Sequence, residues 1–287
     1  MTTLIDAFAA NWMDLPNRLA EQAGDVRLML DGAFCAGLHR SVRALLRFDA
    51  SIGFLFEALP SYTDESRDVS PFVFSHELGN VGLVRVLGQC NGWPMVHCIQ
   101  TDESPASLAA RLGGWCAVEA DGQRFNLRFP DTRRLSGICA ALTSAQRQEL
   151  FGPARSWRFV GRDGRWADLD LSRVDQFSSA RAAVPPSFGC PQLDANQFAS
   201  MLDDGEADAV LAVLEERGND WPGRHSEVYF AVNAALALAR RAGLNHALTL
   251  DWCEACAQQP SQLDDGDGSA ALHRWTSQQP ATALSSP

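Results

Sequence analysis

Between the N-terminus and about residue 170, apolar positions recur in two rhythms, a helical spacing and short unbroken runs, and the two alternate along the chain. That alternation predicts a layered α/β or α+β arrangement. Leu4 to Gln22 has the spacing of an amphipathic helix, with Pro16 expected to kink or interrupt it. Val26 to Leu30 is a short run suited to a buried strand, and Gly37 to Arg47 follows as a helix. Ile52 to Leu59 and Pro71 to Phe74 read as strands, with the polar stretch Ser61 to Asp68 as the loop between them. Asn80 to Cys90 reads as a helix and Met95 to Ile99 as a strand. Ser104-Pro105 is a helix start, serine capping and proline in the first turn, for a helix ending near Gly113-Gly114.

Two hairpins follow. Val118 to Phe129 turns at Asp121-Gly122, and Trp157 to Trp166 turns at Asp163-Gly164. Between them Thr143 to Gln146 fits a capping box, so one or two helices cover Thr132 to Leu150. From Ser172 to Gln192 the pattern dissolves into Ser, Ala and Pro, which reads as a linker. Beyond it, Asp194 to Leu202, Glu206 to Arg217, Ser226 to Ala242 and His246 to Ala257 read as four helices, the third apolar nearly all round and so central. The expected fold class is therefore α+β: an α/β-like N-terminal lobe over residues 1–171 with a mixed sheet and hairpins, a linker over 172–192, and an all-helical lobe over 193–258. A disordered polar tail is expected over 259–287.

Composition narrows the classes of function. The chain has 287 residues, 46% of them hydrophobic and 21% charged, which is ordinary for a globular protein. A net charge of -11 argues against a general binder of nucleic acid or anionic membrane, which needs cations to neutralise phosphate. All 24 cations are arginine. They are unevenly spread: residues 111 to 173 hold eleven Arg against seven acids, and residue 194 onward holds five against fourteen. That asymmetry allows the lobes to attract one another, or to offer two differently charged faces to partners. The first residues lack the basic start and cleavage site of a signal peptide, and no run approaches the roughly 18 apolar residues of a membrane span. A cytoplasmic location is expected, with the eight cysteines as reduced, buried thiols.

Chemistry-bearing motifs are sparse. Cys253-Glu-Ala-Cys256 is the one CxxC, and it closes a helix where a redox motif would open one; as half a zinc site it lacks a second pair of ligands. Asp264 to Gly268 looks like the start of a calcium loop, but Trp275 stands where the bidentate Glu belongs. The sequence has no GxSxG elbow, P-loop, HExxH or glycine-rich dinucleotide fingerprint, and its six histidines, His39 and His97 among them, are scattered. No catalytic residue, metal or cofactor is assigned. The segment Glu119 to Arg134 is more specific. Strand alternation puts Phe125, Leu127 and Phe129 on one face and Arg124, Asn126 and Arg128 on the other. Either Arg128 and Asp131 pair locally and fix the turn at Pro130, or the arginine face docks an acidic partner segment.

An ordered series of motifs then resembles a known family. Leu28-Met-Leu-Asp-Gly-Ala33, Leu55-Phe-Glu57, Ser70-Pro-Phe-Val-Phe74, Gly92-Trp-Pro94, the helix Ser107 to Leu112, Arg128-Phe-Pro-Asp-Thr-Arg133 and Phe151-Gly-Pro153 occur in order over about residues 26 to 165. The series is similar to the effector adaptor-chaperones of type VI secretion, of the Tap or Tec and VasW-like type. Pro130 stands where that family has an aromatic residue, and Thr132 where it often has proline. The resemblance implies a cytoplasmic helper that binds a toxic effector and delivers it to the VgrG spike, with the N-terminal lobe shared and the helical lobe varying with cargo. The candidate partner-binding residues are Arg124, Arg128, Asp131 and Arg133 of the hairpin segment, with Asp31, Glu57 and Trp93 from the motif series. Two rival expectations are an immunity-type protein that neutralises a toxin, and an unorthodox hydrolase whose pocket converges on Asp31, Glu57 and Arg128.

Overall fold

The computed structural model describes residues 4–23, 25–171, 190–218, 220–263 and 268–279. The chain divides into two compact units, Met1–Met201 and Leu202–Pro287. In order, the elements are α1 (Asp14–Ala23), β1 (Val26–Leu30), α2 (Leu38–Arg43), β2 (Ile52–Phe54), α3 (Asp64–Val69), β3 (Phe72–Ser75), α4 (Val81–Leu87) and β4 (Val96–Gln100). Then come α5 (Pro105–Gly113), β5 (Ala117–Ala120), β6 (Gln123–Asn126), α6 (Thr132–Ala141), α7 (Ser144–Phe151), β7 (Ser156–Val160), β8 (Trp166–Asp168) and β9 (Gln192–Leu193). The remaining helices are α8 (Ala195–Glu216), α9 (His225–Ala242), α10 (His246–Gln258) and α11 (Gly268–Ser277). The expected class, a sheet-rich N-terminal region followed by a helical one, is the class found.

Six strands form one sheet in the order β2-β3-β1-β4-β7-β8, antiparallel at every pairing. Successive side chains of a strand point to opposite faces, and here both faces are covered, which is why the strands read as unbroken apolar runs. Leu28, Leu30, Phe72, Phe74, Val96 and Cys98 pack with Leu38 and Val42 of α2 and Leu83 and Leu87 of α4. Met29, Val73, Ile99, Trp157 and Phe159 pack on the opposite face with Leu108 and Leu112 of α5, Leu135 of α6 and Phe151 of α7. Each such side chain contributes about 1.5–3 kcal/mol by leaving water. Helix α5 lies against backbone: a Cβ at Gly53 would stand 2.3 Å from the Pro105 carbonyl oxygen, and one at Gly113 2.3 Å from that of Leu55.

A second, mixed sheet has the order β6-β5-β9, with β5 and β6 antiparallel and β9 parallel to β5. Its hairpin turns where expected, with positive φ at Asp121 (50°) and Gly122 (70°), the signature of a type I′ turn. The capping box at Thr143 and Gln146 and the serine cap at Ser104 are also present.

Several expectations are corrected. Leu4 to Met13 is not helical, because the N–H groups of Leu4, Asp6 and Ala9 bond to the carbonyls of Gly92, Arg162 and Gly164; Pro16 falls in the first turn of α1, where it is tolerated. The strand expected over Ile52 to Leu59 stops at Phe54 and continues as a 3₁₀ turn, Leu55–Ala58, because the Ser70 hydroxyl takes the Phe56 N–H. The expected loop Ser61 to Asp68 holds α3, a helix with no buried residue, so no apolar spacing betrays it; the capping box between Thr63 and Ser66 starts it. Asp194 to Arg217 holds one helix, α8, because the buried Gly205 sits in it without breaking it.

The boundary between the units lies after Met201, later than expected, since Leu193 is buried, Gln197 bonds to Ala141 and Gln146, and the Phe198 ring lies 4.5 Å from that of Phe125. Residues 172–189 of the expected linker lie outside the described residues.

In the second unit α9 packs against α10, the 3₁₀ turn Pro260–Leu263 and α11, in the central place expected, although Phe230 is 59% exposed. The expected disordered tail contains α11, which buries Ala271 and Leu272 and sets Trp275 5.4 Å from Trp252; three apolar positions suffice to recruit it. Cys253 and Cys256 are fully buried in that core, and burial pushes the Cys253 thiol up to about 12. The residues 264–267 of the calcium-like stretch are outside the described set. No described helix is long and apolar enough to cross a membrane.

Candidate partner-binding site

Three segments at one end of the large sheet are knitted by backbone bonds. Asp31 N–H donates to the Met95 carbonyl, and Thr132 N–H to that of Pro94. Asp31, just past β1, caps a 3₁₀ turn, Gly32–Phe34, its Oδ1 accepting from Ala33 N–H at 3.1 Å. Its Oδ2 accepts from Arg128 Nη2 at 2.8 Å. Asp31 is buried, while the Arg128 side chain stays 41% exposed. Burial raises the Asp31 carboxyl from 3.8 to about 6; Arg128 and the Ala33 N–H oppose that rise, and the charge of Asp131 adds to it.

The Arg128 guanidinium lies 5.6 Å from the centre of the Phe34 ring and that of Arg133 6.0 Å, and the Trp93 ring stands 5.9 Å from that of Phe34. Arg133 is held in turn by a two-point pair with Asp131, Nη2 to Oδ2 at 2.7 Å and Nε to Oδ1 at 3.0 Å. Asp131 also caps α6 by accepting from Arg133 N–H. Beneath the cluster His97 is fully buried and neutral. Its Nδ1 accepts from the Trp157 indole at 3.1 Å, so its Nε2 carries the proton and donates to the Pro130 carbonyl at 2.8 Å. Burial holds its pKa down to about 4.

Three of the seven candidate residues, Trp93, Arg128 and Arg133, thus lie around one ring, and two more, Asp31 and Asp131, hold the two arginines. Glu57 and Arg124 do not join them. Glu57 is exposed, 3.6 Å from Arg67, and accepts from the Tyr62 hydroxyl, so the expected convergence of Asp31, Glu57 and Arg128 is not formed. The single arginine face expected on the hairpin is also corrected. β6 ends at Asn126, so Arg128 leaves the strand and reaches Asp31, and the local partner of Asp131 is Arg133.

Sequence reasoning missed two surface features. Phe48 is 97% exposed on a loop whose Arg47, Phe48 and Ala50 carbonyls all accept from Arg43. Leu78, Val81 and Val84 are exposed nearby, where Glu77 accepts from Arg47 N–H. The signal was the run Val81 to Leu87, apolar at more positions than one buried face can use. The second feature is an open hollow of about 370 Å³ with Phe56, Leu59, Tyr62 and Arg124 in its wall. Among the described residues no three His, Cys, Asp or Glu side chains gather as metal ligands would.

All seven candidates fall within a stretch that a known family covers. Residues 28–149 match the family described as a domain of unknown function, DUF4123. The DUF4123 region runs from β1 to α7, and β7, β8 and the whole second unit lie beyond it. No curated protein and no solved structure matches the chain.

Proposed function

We propose that the protein is a non-enzymatic adaptor-chaperone of type VI secretion, which holds an effector in the cytoplasm and loads it onto the VgrG spike without any cofactor. The observation that carries this reading is the Asp31–Arg128–Phe34 cluster. A carboxyl moved from 3.8 to about 6 costs the fold about 3 kcal/mol when it ionises. What the fold gains is a half-exposed guanidinium fixed over an aromatic ring, and arginine and aromatic side chains are the groups that dominate protein interfaces. The DUF4123 match supports the same reading, since this domain is known in the context of type VI adaptors and chaperones.

The test is co-expression of the full chain with the toxin and spike proteins of its secretion system, followed by pull-down and a secretion assay on the deletion strain. Recovery of the effector and loss of its delivery are expected. Recovery of neither protein, with secretion intact, sinks the proposal. Protection of a sister cell without any loss of delivery makes the protein an immunity factor instead.

A further inference from the structure

We propose that the outer edge of β6 is a docking strand that takes up an extended segment of the cargo, one carrying a carboxylate and a bulky apolar side chain. This rests on the adaptor reading, because the cargo supplies the segment. The two-residue turn makes Ala120 and Gln123 a hydrogen-bonded pair, and bonded and unbonded pairs alternate from there. Val118 and Phe125 are therefore the next bonded pair, and Leu127 N–H to the Cys116 carbonyl at 3.0 Å continues the series. The N–H and C=O groups of Arg124 and Asn126 consequently point away from β5. No described strand lies on that side, and Gln123, Arg124 and Asn126 are exposed.

Natural sheets usually blunt such an edge with a proline, a bulge or an inward charge. β6 has no proline and a regular register. Its one charge, Arg124, makes no ion pair among the described residues, even though Glu119 stands across from it. The opposite edge of the hairpin already binds an extended segment: β9 adds to β5 in parallel, with Glu119 N–H donating to the Pro191 carbonyl at 2.9 Å.

The occupant follows from what lies beside the edge. The hollow of about 370 Å³ is lined by Phe56, Leu59 and Tyr62 and by Ala117, Arg124 and Asn126, which share one face of the hairpin, and among the described residues Arg124 is the only charged one in that lining. A strand added at β6 sets alternate side chains on one face, so an apolar side chain fills the hollow while an acidic neighbour meets Arg124. A second copy of this chain fits less well, because two-fold pairing of β6 edges brings Arg124 close to its own symmetry mate.

The experiment uses the full chain and fluorescent ten-residue β-prone peptides with Glu and Leu two positions apart, against a control set in which Lys replaces Glu. Asn126→Pro removes an outward N–H while leaving the hairpin's own bonds, and Arg124→Glu reverses the charge without touching the backbone. Circular dichroism checks the fold of both. The acidic peptides should bind, and each variant should weaken them roughly tenfold, as loss of one backbone hydrogen bond or one charge-assisted contact does. Arg124→Glu should bind the Lys peptides instead.

Equal binding of acidic and Lys peptides by the wild type, or of acidic peptides by wild type and both variants, overturns the proposal. So does a concentration-dependent dimer that Asn126→Pro abolishes, if no peptide competes with it. Effector recovered equally by wild type and Asn126→Pro leaves the adaptor reading standing and removes this one. Peptides that bind the edge while no effector is ever recovered remove the adaptor reading and, with it, the cargo as occupant, and leave only a strand-binding edge.

Discussion

The centre of the large sheet and the rim at its end are built on opposite terms. At the centre, Leu28, Val73 and Phe74 are wholly enclosed by apolar atoms, and α5 approaches so closely that Gly53 and Gly113 leave no room for a Cβ. At the rim, two carboxylates and two guanidiniums are balanced around Phe34, with a buried neutral histidine beneath. The centre is fixed by volume and the rim by charge. Adding atoms should therefore break the first, and changing charges should disturb the second while leaving the fold in place.

The largest effect is expected from Gly53→Val. Its Cβ would meet the Pro105 carbonyl at 2.3 Å and the Ala109 methyl at 2.7 Å, both parts of a helix that cannot yield as a flexible side chain would. A loss of about 3 kcal/mol is expected from urea denaturation, since overpacking here moves a whole helix. A loss under about 1 kcal/mol would show that α5 is free to shift and that volume does not fix the centre.

At the rim, Asp31 and His97 titrate in the same window with opposite signs. The folded state keeps a proton on Asp31 up to about pH 6, whereas the unfolded chain releases it near 3.8, so this group lowers stability as pH rises through that range. His97 stays neutral in the fold down to about pH 4, whereas the unfolded chain protonates it near 6.5, so stability falls as pH drops from 6.5 to 4. Between pH 4 and 6 the two slopes offset one another. Asp31→Asn removes one of them, so its stability relative to wild type should rise by about 3 kcal/mol between pH 4 and pH 7, and its own urea midpoint should fall steadily below pH 6.5. A difference that does not change with pH would mean that Asp31 is not strained. The same variant should weaken effector capture by loosening Arg128.

The contrast also explains what could be read in advance. Val26 to Leu30 and the run from Phe72 to Phe74 are strands because both faces are covered, and apolar runs interrupted only by Arg27 announce that condition. The hairpin at Asp121-Gly122 was legible because only a few residue pairs accept positive φ in succession. The rim was legible only as a set of residues. Asp31, Trp93, Arg128, Asp131 and Arg133 could be singled out, but not the partnership of Arg128 with a carboxylate 97 positions away. Local spacing suggested Asp131 instead, and a long-range ion pair leaves no period in the sequence. Glu57 stands apart from that cluster for a related reason, since the 3₁₀ turn that carries it to Arg67 looks like continued strand. The exposed Phe48 is invisible to pattern, because exposure of a ring depends on which loop carbonyls Arg43 binds.

Glu57 gives the smallest expected effect and the finest edge to the contrast. Its pair with Arg67 is 3.6 Å long with both side chains near half exposure, a setting in which water screens most of the attraction. Glu57→Ala should therefore move the thermal midpoint by no more than about 2 °C. Charge balance of the kind found at Phe34 requires burial, and Glu57 is exposed. The Tyr62 hydroxyl it contacts belongs to the wall of the hollow beside β6, so removing this carboxylate should leave binding of an acidic segment unchanged or slightly tighter. Weaker binding in Glu57→Ala, with the midpoint unmoved, would place Glu57 in direct contact with the cargo and extend the charge-governed rim across to the hollow.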